Sequence, residues 1–326
     1  MNDDALKVTT IDLGLYRPNM ASSHLVVAGE SAALIDVGAT QNHLQILTAL
    51  RQRNVSFESV KFIFVTHIHL DHAGAAGFLL AHFFPNARLV VHPLGLAHMQ
   101  QPAKLEAAAC QVYGQEVFAK VYGALVPVPA ERLIAAVHGM QCDLATGTIL
   151  EAGQKAQTGT LAEIIHTPGH ARHHYCLHLP EASCVFTGDA YGLAYPELVA
   201  AGQAFLLPTT TPTAFEPEEM LRSVEKIASL GAKRAYLTHF GLVHEPAQYL
   251  EPLQARIRKL VDCAKMFLPC PEHERQKNLL ALECELVAWL KEELEKHGCN
   301  VKIALELLDL DIKLNVQGLA VWASRQ

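Results

Sequence analysis

Phe62-Ile63-Phe64-Val65-Thr66-His67-Ile68-His69-Leu70-Asp71-His72 decides how this chain is read. Its first four residues are an apolar run that reads as a buried strand. Four metal-binding side chains follow at once, before a helix expected from about Gly74. His67 and His69, two apart in an extended segment, project to the same side and can hold one cation. Asp71 and His72 sit in the turn and can face a second. Imidazoles and a carboxylate crowded at a strand end lose solvation unless they are paired or metal-bound, so a plain polar turn is the weaker explanation. HxHxDH directly after a strand is also far more specific than a bare HxH.

Three more candidates close other apolar runs: His170 in Thr167-Pro168-Gly169-His170, Asp189 in Thr187-Gly188-Asp189, and His239 in Leu237-Thr238-His239-Phe240-Gly241. Any one of them alone would read as a capping or surface group. Together they supply the donors that the first motif lacks.

With these residues quoted, the chain resembles the metallo-β-lactamase superfamily, whose signature is THxHxDH followed by a distant His, an Asp and a last His. All seven positions are filled, and the resemblance spans roughly residues 8–245. The pieces TPGHA, TGDA and LTHFG look like its glyoxalase II and lactonase side. The resemblance implies an α+β fold, a four-layer αββα sandwich. It implies two divalent metal ions, zinc first, with iron or manganese as alternatives. One ion would be held by His67, His69 and His170, the other by Asp71, His72 and His239, with Asp189 bridging. Asp71 and Asp189 would be the catalytic carboxylates. Three histidines leave a coordination position open for water. Two cations roughly 3.5–4 Å apart can share that water as a hydroxide near neutral pH. Solvent would be the nucleophile, and hydrolysis of an ester, thioester or lactone the expected reaction.

The chain has 326 residues, half of them hydrophobic and 18% charged, enough for one large domain plus an extension. We place the metal-binding domain at 1–245, with a helical insertion at about 93–145, and a helical extension at 246–326. The start, Met1-Asn2-Asp3-Asp4, is acidic and leads into no apolar h-region, and no apolar stretch is long enough to span a bilayer. Eight cysteines are scattered with no CxxC pair, which reads as buried or free thiols in a reducing compartment. The expected location is therefore the cytoplasm, which counts against antibiotic hydrolysis by an exported enzyme. A net charge of −7 without a basic run counts against nucleic acid as a partner. The expected partner is a small or uncharged molecule, with neither membrane nor nucleic acid; a homodimer is left open.

Substrate contacts are expected from Tyr191 or Tyr195 just past Asp189, since lactonases of the superfamily carry a tyrosine there that hydrogen-bonds the substrate carbonyl. His174 is a further candidate, to orient either a metal ligand or a substrate from behind, whereas His173 is expected to face solvent. Asp36, in Leu34-Ile35-Asp36-Val37-Gly38, ends another strand and resembles the family's aspartate behind the ligands, although a simple turn residue fits the sequence equally well. In the insertion, Val112-Tyr113-Gly114 and Val121-Tyr122-Gly123 could form a lid, but packed helices are the favoured reading. His92, His98 and His138 read as structural.

Beyond residue 246, Leu253, Ile257, Leu260, Val261 and Ala264 form one helical stripe and Leu279, Leu282, Leu286, Leu290 and Leu294 another, with docking on the parent domain as the default. Trp289 and Trp322 read as core. This tail carries no cluster of basic residues of the kind glyoxalase II uses for a glutathione thioester. Two other readings remain: a non-haem iron oxidoreductase resembling persulfide dioxygenases, and a metal-bound regulatory or binding protein.

Overall fold

The computed structural model describes residues 6–326 except 152, 158 and 213. The acidic start at 1–4 lies outside the described residues, as do the side chains of Val112 and Tyr113, which the lid reading had included.

Two sheets carry the fold. The first holds β1 (Lys7–Asp12), β2 (Ser22–Ala28), β3 (Ser31–Ile35), β4 (Val60–Val65), β5 (Arg88–Val91) and β6 (Leu133–Ala135) in that spatial order. β1 to β3 pair antiparallel and β3 to β6 parallel. The second holds β7 (Gln141–Asp143), β8 (Thr148–Ile149), β9 (Leu161–His166), β10 (Tyr175–Leu179), β11 (Cys184–Gly188), β12 (Arg234–Leu237) and β13 (Gly241–His244), in the order β13-β12-β11-β10-β9-β7-β8.

β4 shows why sequence of this kind folds into layers. Its residues are apolar on both faces, as a strand covered on both sides must be. Phe62 and Phe64 point inward, where they meet Ile164, Tyr175, Leu177 and Phe186 of the second sheet. Ile63 and Val65 point outward, as the two-residue period of a strand requires. There they meet Ile46, Leu47 and Leu50 of α1 (His43–Gln52) and, beyond the short α2 (Leu70–Ala73), Leu79 and Leu80 of α3 (Ala76–His82). Truncating either buried phenylalanine to alanine would cost about 3–5 kcal/mol.

The stretch expected to be helical from 93 to 145 is helical only in its first part. It contains α4 (Leu96–Gln100), α5 (Ala103–Tyr113), α6 (Gln115–Val117) and a π-turn at Phe118–Tyr122. It then supplies β6 and β7, so the chain passes here from one sheet to the other. Three-residue strands are too short to show a two-residue period, and the sequence pattern missed them.

On the outer face of the second sheet lie α7 (Pro217–Ser229), α8 (Leu250–Phe267) and α9 (Arg275–His297), followed by α10 (Val301–Leu307) and α11 (Asp309–Ala323). Met220, Val224 and Ile227 of α7, the expected stripe of α8, Leu282 and Leu286 of α9, and Val316, Leu319 and Trp322 of α11 share one cluster with Val185, Ala235 and Leu237. Trp289 packs against the same cluster. The architecture is an α+β four-layer sandwich of helices, sheet, sheet and helices. All eight cysteines are unpaired. No described helix is long and apolar enough to cross a membrane.

Candidate metal centre

Each expected donor stands where a strand ends at one edge of the sandwich. The His67–His72 run follows β4, and His170, Asp189 and His239 follow β9, β11 and β12; Asp36, outside the donor set, follows β3. Strand ends of one sheet and of its partner therefore converge, and the donors fall into three overlapping triads: His67, His69 and His170; His67, His72 and Asp189; Asp71, His72 and His239. Within each triad the donor atoms lie within 4.8 Å of one another. Asp189 stands between the halves. Its Oδ2 lies 3.3 Å from His170 Nε2, and its Oδ1 lies 3.2 Å from His72 Nε2 and 3.7 Å from His239 Nε2. Asp71 Oδ2 is 3.1 Å from His239 Nε2 and 3.7 Å from His72 Nε2.

The second ring nitrogen sets the direction of several imidazoles. Nδ1 of His239 donates to the Met20 carbonyl at 2.8 Å and Nδ1 of His170 to the Thr209 carbonyl at 3.1 Å, which leaves Nε2 of each as a lone-pair donor. His72 is fixed by Asp36, whose Oδ2 lies 2.7 Å from its Nδ1. That carboxylate also accepts from the Thr66 backbone N–H at 2.8 Å and from the Thr238 hydroxyl at 2.6 Å. Asp36 is thus a hub behind the donors, and the turn-residue alternative is set aside.

Charge divides the centre in two. Burial and the neighbouring imidazoles push His67 and His69 well below the usual histidine range, and burial lowers His170 against the pull of Asp189. These three are neutral lone-pair donors, as ligation requires. Burial also works against charge on His72 and His239, but the carboxylates outweigh it: Asp36, Asp189 and Asp71 raise His72 well above its ordinary value, and Asp189 and Asp71 push His239 up to about 9. Burial opposes ionisation of Asp71 and Asp189 as well, yet His72 and His239 hold both carboxyls well below the usual range.

Two atoms test whether a metal fits. His72 Nε2 and Asp189 Oδ1 are buried and, although 3.2 Å apart, are not aligned for a hydrogen bond to each other or to any other group. An unsatisfied buried polar atom costs about 1–3 kcal/mol, and a cation between these two would satisfy both. All the donors are nitrogen or oxygen, with no thiolate, a set suited to zinc, iron or manganese.

Close packing holds the centre from behind. Gly188 has φ +48°, and a Cβ there would stand 2.5 Å from Thr66 Oγ1 and 2.7 Å from His174 Nε2. His174 does not line the cleft: its Nε2 accepts the Asp189 backbone N–H at 3.2 Å and its Nδ1 lies 2.9 Å from the Thr167 hydroxyl, so it anchors the turn that presents Asp189. His173, expected in solvent, is half-buried with its ring alongside His67.

A cleft of about 1060 Å³, counting its mouth, opens over the donors and is lined by His69, Asp71, His170, Asp189 and His239. Neither expected tyrosine lines it. Tyr191 is fully buried and donates to the Pro246 carbonyl at 2.8 Å, while Tyr195, also fully buried, donates to the Asp311 carboxylate. Among the described residues, the phenols in the cleft are Tyr16 and Tyr122, whose hydroxyls lie 3.4 Å apart. Leu105, Ala108 and Ala109 of α5 form part of the wall, so the insertion both packs and covers. Leu310, Asp311, Leu314 and Asn315 of α11 form another part, so the extension covers the cleft as well as docking on the sheet. No sequence signal marked Asp311, because an aspartate in the first turn of a helix is ordinary capping chemistry.

The chain belongs to the metallo-beta-lactamase superfamily, whose profile it matches over residues 16–239. Among proteins of that kind, it is 25% identical over 230 residues to the metallo-beta-lactamase fold-containing protein ST1585 of Sulfurisphaera tokodaii, covering 69% of this chain and 75% of that one. The crystal structure of ST1585 superposes with a TM-score of 0.63 at 22% identity over 96% of this chain and 97% of that chain, so the shared fold takes in the C-terminal helices. The metallo-beta-lactamase family protein TTHA1429 from Thermus thermophilus superposes at 0.62, with 22% identity over 85% of this chain and 87% of its own. An atrochrysone carboxyl ACP thioesterase of Aspergillus fumigatus is 21% identical over 241 residues, spanning 74% of this chain and 55% of that protein.

Proposed function

We propose that the protein is a metal-dependent hydrolase of acyl bonds, acting on an ester, thioester or lactone. The observation that carries this reading is the convergence of three donor triads on one buried spot at the floor of a largely apolar cleft. Two divalent cations bound there, zinc first among the candidates, supply Lewis acidity for an acyl oxygen and water acidified to near neutrality. The chain's own residues do the rest. His67, His69 and His170 offer neutral nitrogens toward one side, and Asp71, His72 and His239 toward the other, with one Asp189 oxygen directed to each. The Asp71 side chain is 23% exposed, so its carboxylate borders the cleft while lying within reach of His72 and His239. Apolar walls from Leu15, Met20, Leu105 and Leu314 exclude bulk water and favour a hydrophobic acyl or aryl portion. The thioesterase name of the Aspergillus fumigatus relative supports the acyl-transfer class.

The test is elemental analysis of the purified protein, with hydrolysis of lactones, thioesters and phosphodiesters measured before and after chelation. Acyl hydrolysis lost with the metal and restored by zinc, iron or manganese is the expected result. Oxygen uptake without acyl hydrolysis would overturn it in favour of an iron oxidoreductase.

A further inference from the structure

Among the described residues, Asp311 is the one carboxylate on the cleft wall that stands outside the donor triads, and it comes from α11. Among the described residues, the donor to it is the Tyr195 hydroxyl, 3.1 and 3.2 Å from its two oxygens. The Arg17 guanidinium lies over the Tyr195 ring, 4.2 Å from its centroid, and makes its ion pair with Glu197 instead. Tyr195 is fully buried, so the carboxylate is held from the protein side while its remaining acceptor capacity is left to the cleft. An ionised carboxylate offers about four lone-pair sites, and a single hydroxyl leaves most of them unused. The surrounding wall is apolar, built of Leu15, Met20, Leu310 and Leu314. Burial pushes the Asp311 carboxyl up to about 6, against the opposing influence of His239, Tyr195 and Arg17, with Asp189 adding to the rise. An acceptor kept so poorly solvated is favoured by any ligand that brings it a donor, and it penalises one that does not.

We propose that Asp311 is a specificity-determining residue that selects acyl compounds bearing a hydrogen-bond donor, a hydroxyl or an ammonium group, on the portion that lies against α11. The inference rests on the hydrolase reading only for the scissile bond; recognition of the donor needs only the cleft.

The test uses the metal-loaded full chain and p-nitrophenyl octanoate, plain or carrying one hydroxyl or one amine at successive chain positions. In the wild type, kcat/KM should favour at least one donor-bearing ester over the plain one by about 10- to 100-fold, and Asp311→Ala should bring that ratio to about one. Asp311→Asn keeps the shape should the alanine variant fail to fold, and it should lower the preference for the amine by about tenfold. Circular dichroism and metal content establish that each variant is folded and loaded. Calorimetric binding of the matching octanamides provides a readout that does not depend on turnover. If no ester is hydrolysed, the hydrolase reading fails while the amide titration still decides the role of Asp311. A ratio untouched by the substitutions, or amide binding that is absent or indifferent to the donor, overturns the proposal.

Discussion

Asp36 has φ +50° and gathers the Thr66 backbone N–H, the Thr66 and Thr238 hydroxyls and His72 Nδ1 around one buried carboxylate. Every one of these partners is a donor, so Asp36→Asn sets an amide N–H against a donor wherever it points. The expected result is a 10- to 100-fold weaker hold on the cation facing Asp71, His72 and His239, read by competition with a coloured chelator. Unchanged affinity would show that Asp36 is only a turn residue. His239 supports a second prediction. Its folded value of about 9 lies above the unfolded value of about 6.5. The stability it contributes to the metal-free protein is therefore fully present below about pH 6.5 and is lost as pH rises through 9. The melting temperature of the chelated protein should fall across that window, and the metal-loaded protein should show a smaller fall; a flat profile for the chelated protein would refute the assignment. The donors were legible because ligation demands particular side chains and each sits at the end of an apolar run. Tyr191 and Tyr195 misled because the direction a side chain takes from a loop is set by what packs behind it, here Pro246 and Asp311.

At the scale of elements, α11 meets the loop after β11 without a spacer. A Cβ on Gly318 would stand 2.3 Å from Thr210 Oγ1 and 2.7 Å from the Thr211 nitrogen, and Asn315 one turn earlier accepts from the Thr210 N–H at 2.7 Å. Gly318→Ala should push the helix away from this loop, cost about 1–3 kcal/mol by overpacking, and widen the wall that carries Asp311. A lower melting temperature with weakened binding of octanamides is the expected pair of readings; an unchanged melting temperature would mean that the helix shifts freely. The long helices were readable from their stripes. In α1, Ile46, Leu47 and Leu50 are buried while Leu44 is 58% exposed, since apolar residues at helical spacing do not reveal where a buried face ends. β6 and β7 stayed hidden because their pairing depends on strands distant in sequence, and α11 as a cleft wall stayed hidden because an apolar helix face looks the same whether it covers a sheet or a cavity.

For the whole molecule, the candidate metal centre spans the two sheets, since its donors come from the ends of strands in both. Removing the metal should therefore loosen the sandwich as a unit. With free metal at a hundred times its dissociation constant, the linkage amounts to about 2.7 kcal/mol, so chelation should lower the melting temperature by roughly 5 °C in a single cooperative transition. Two separate transitions would mean that the sheets are held together by their apolar interface alone. The cleft above that centre has its own assembly logic, because Leu15, Tyr16 and Met20 wall it from near the start of the chain while α11 walls it from the far end. The sequence up to His239 supplies every donor of the three triads, and the wall formed by Leu310, Asp311, Leu314 and Asn315 is added only by α11. On the proposed reading, the stretch of sequence that would hold metal is complete by His239, whereas the stretch that would choose among substrates comes later, with α11.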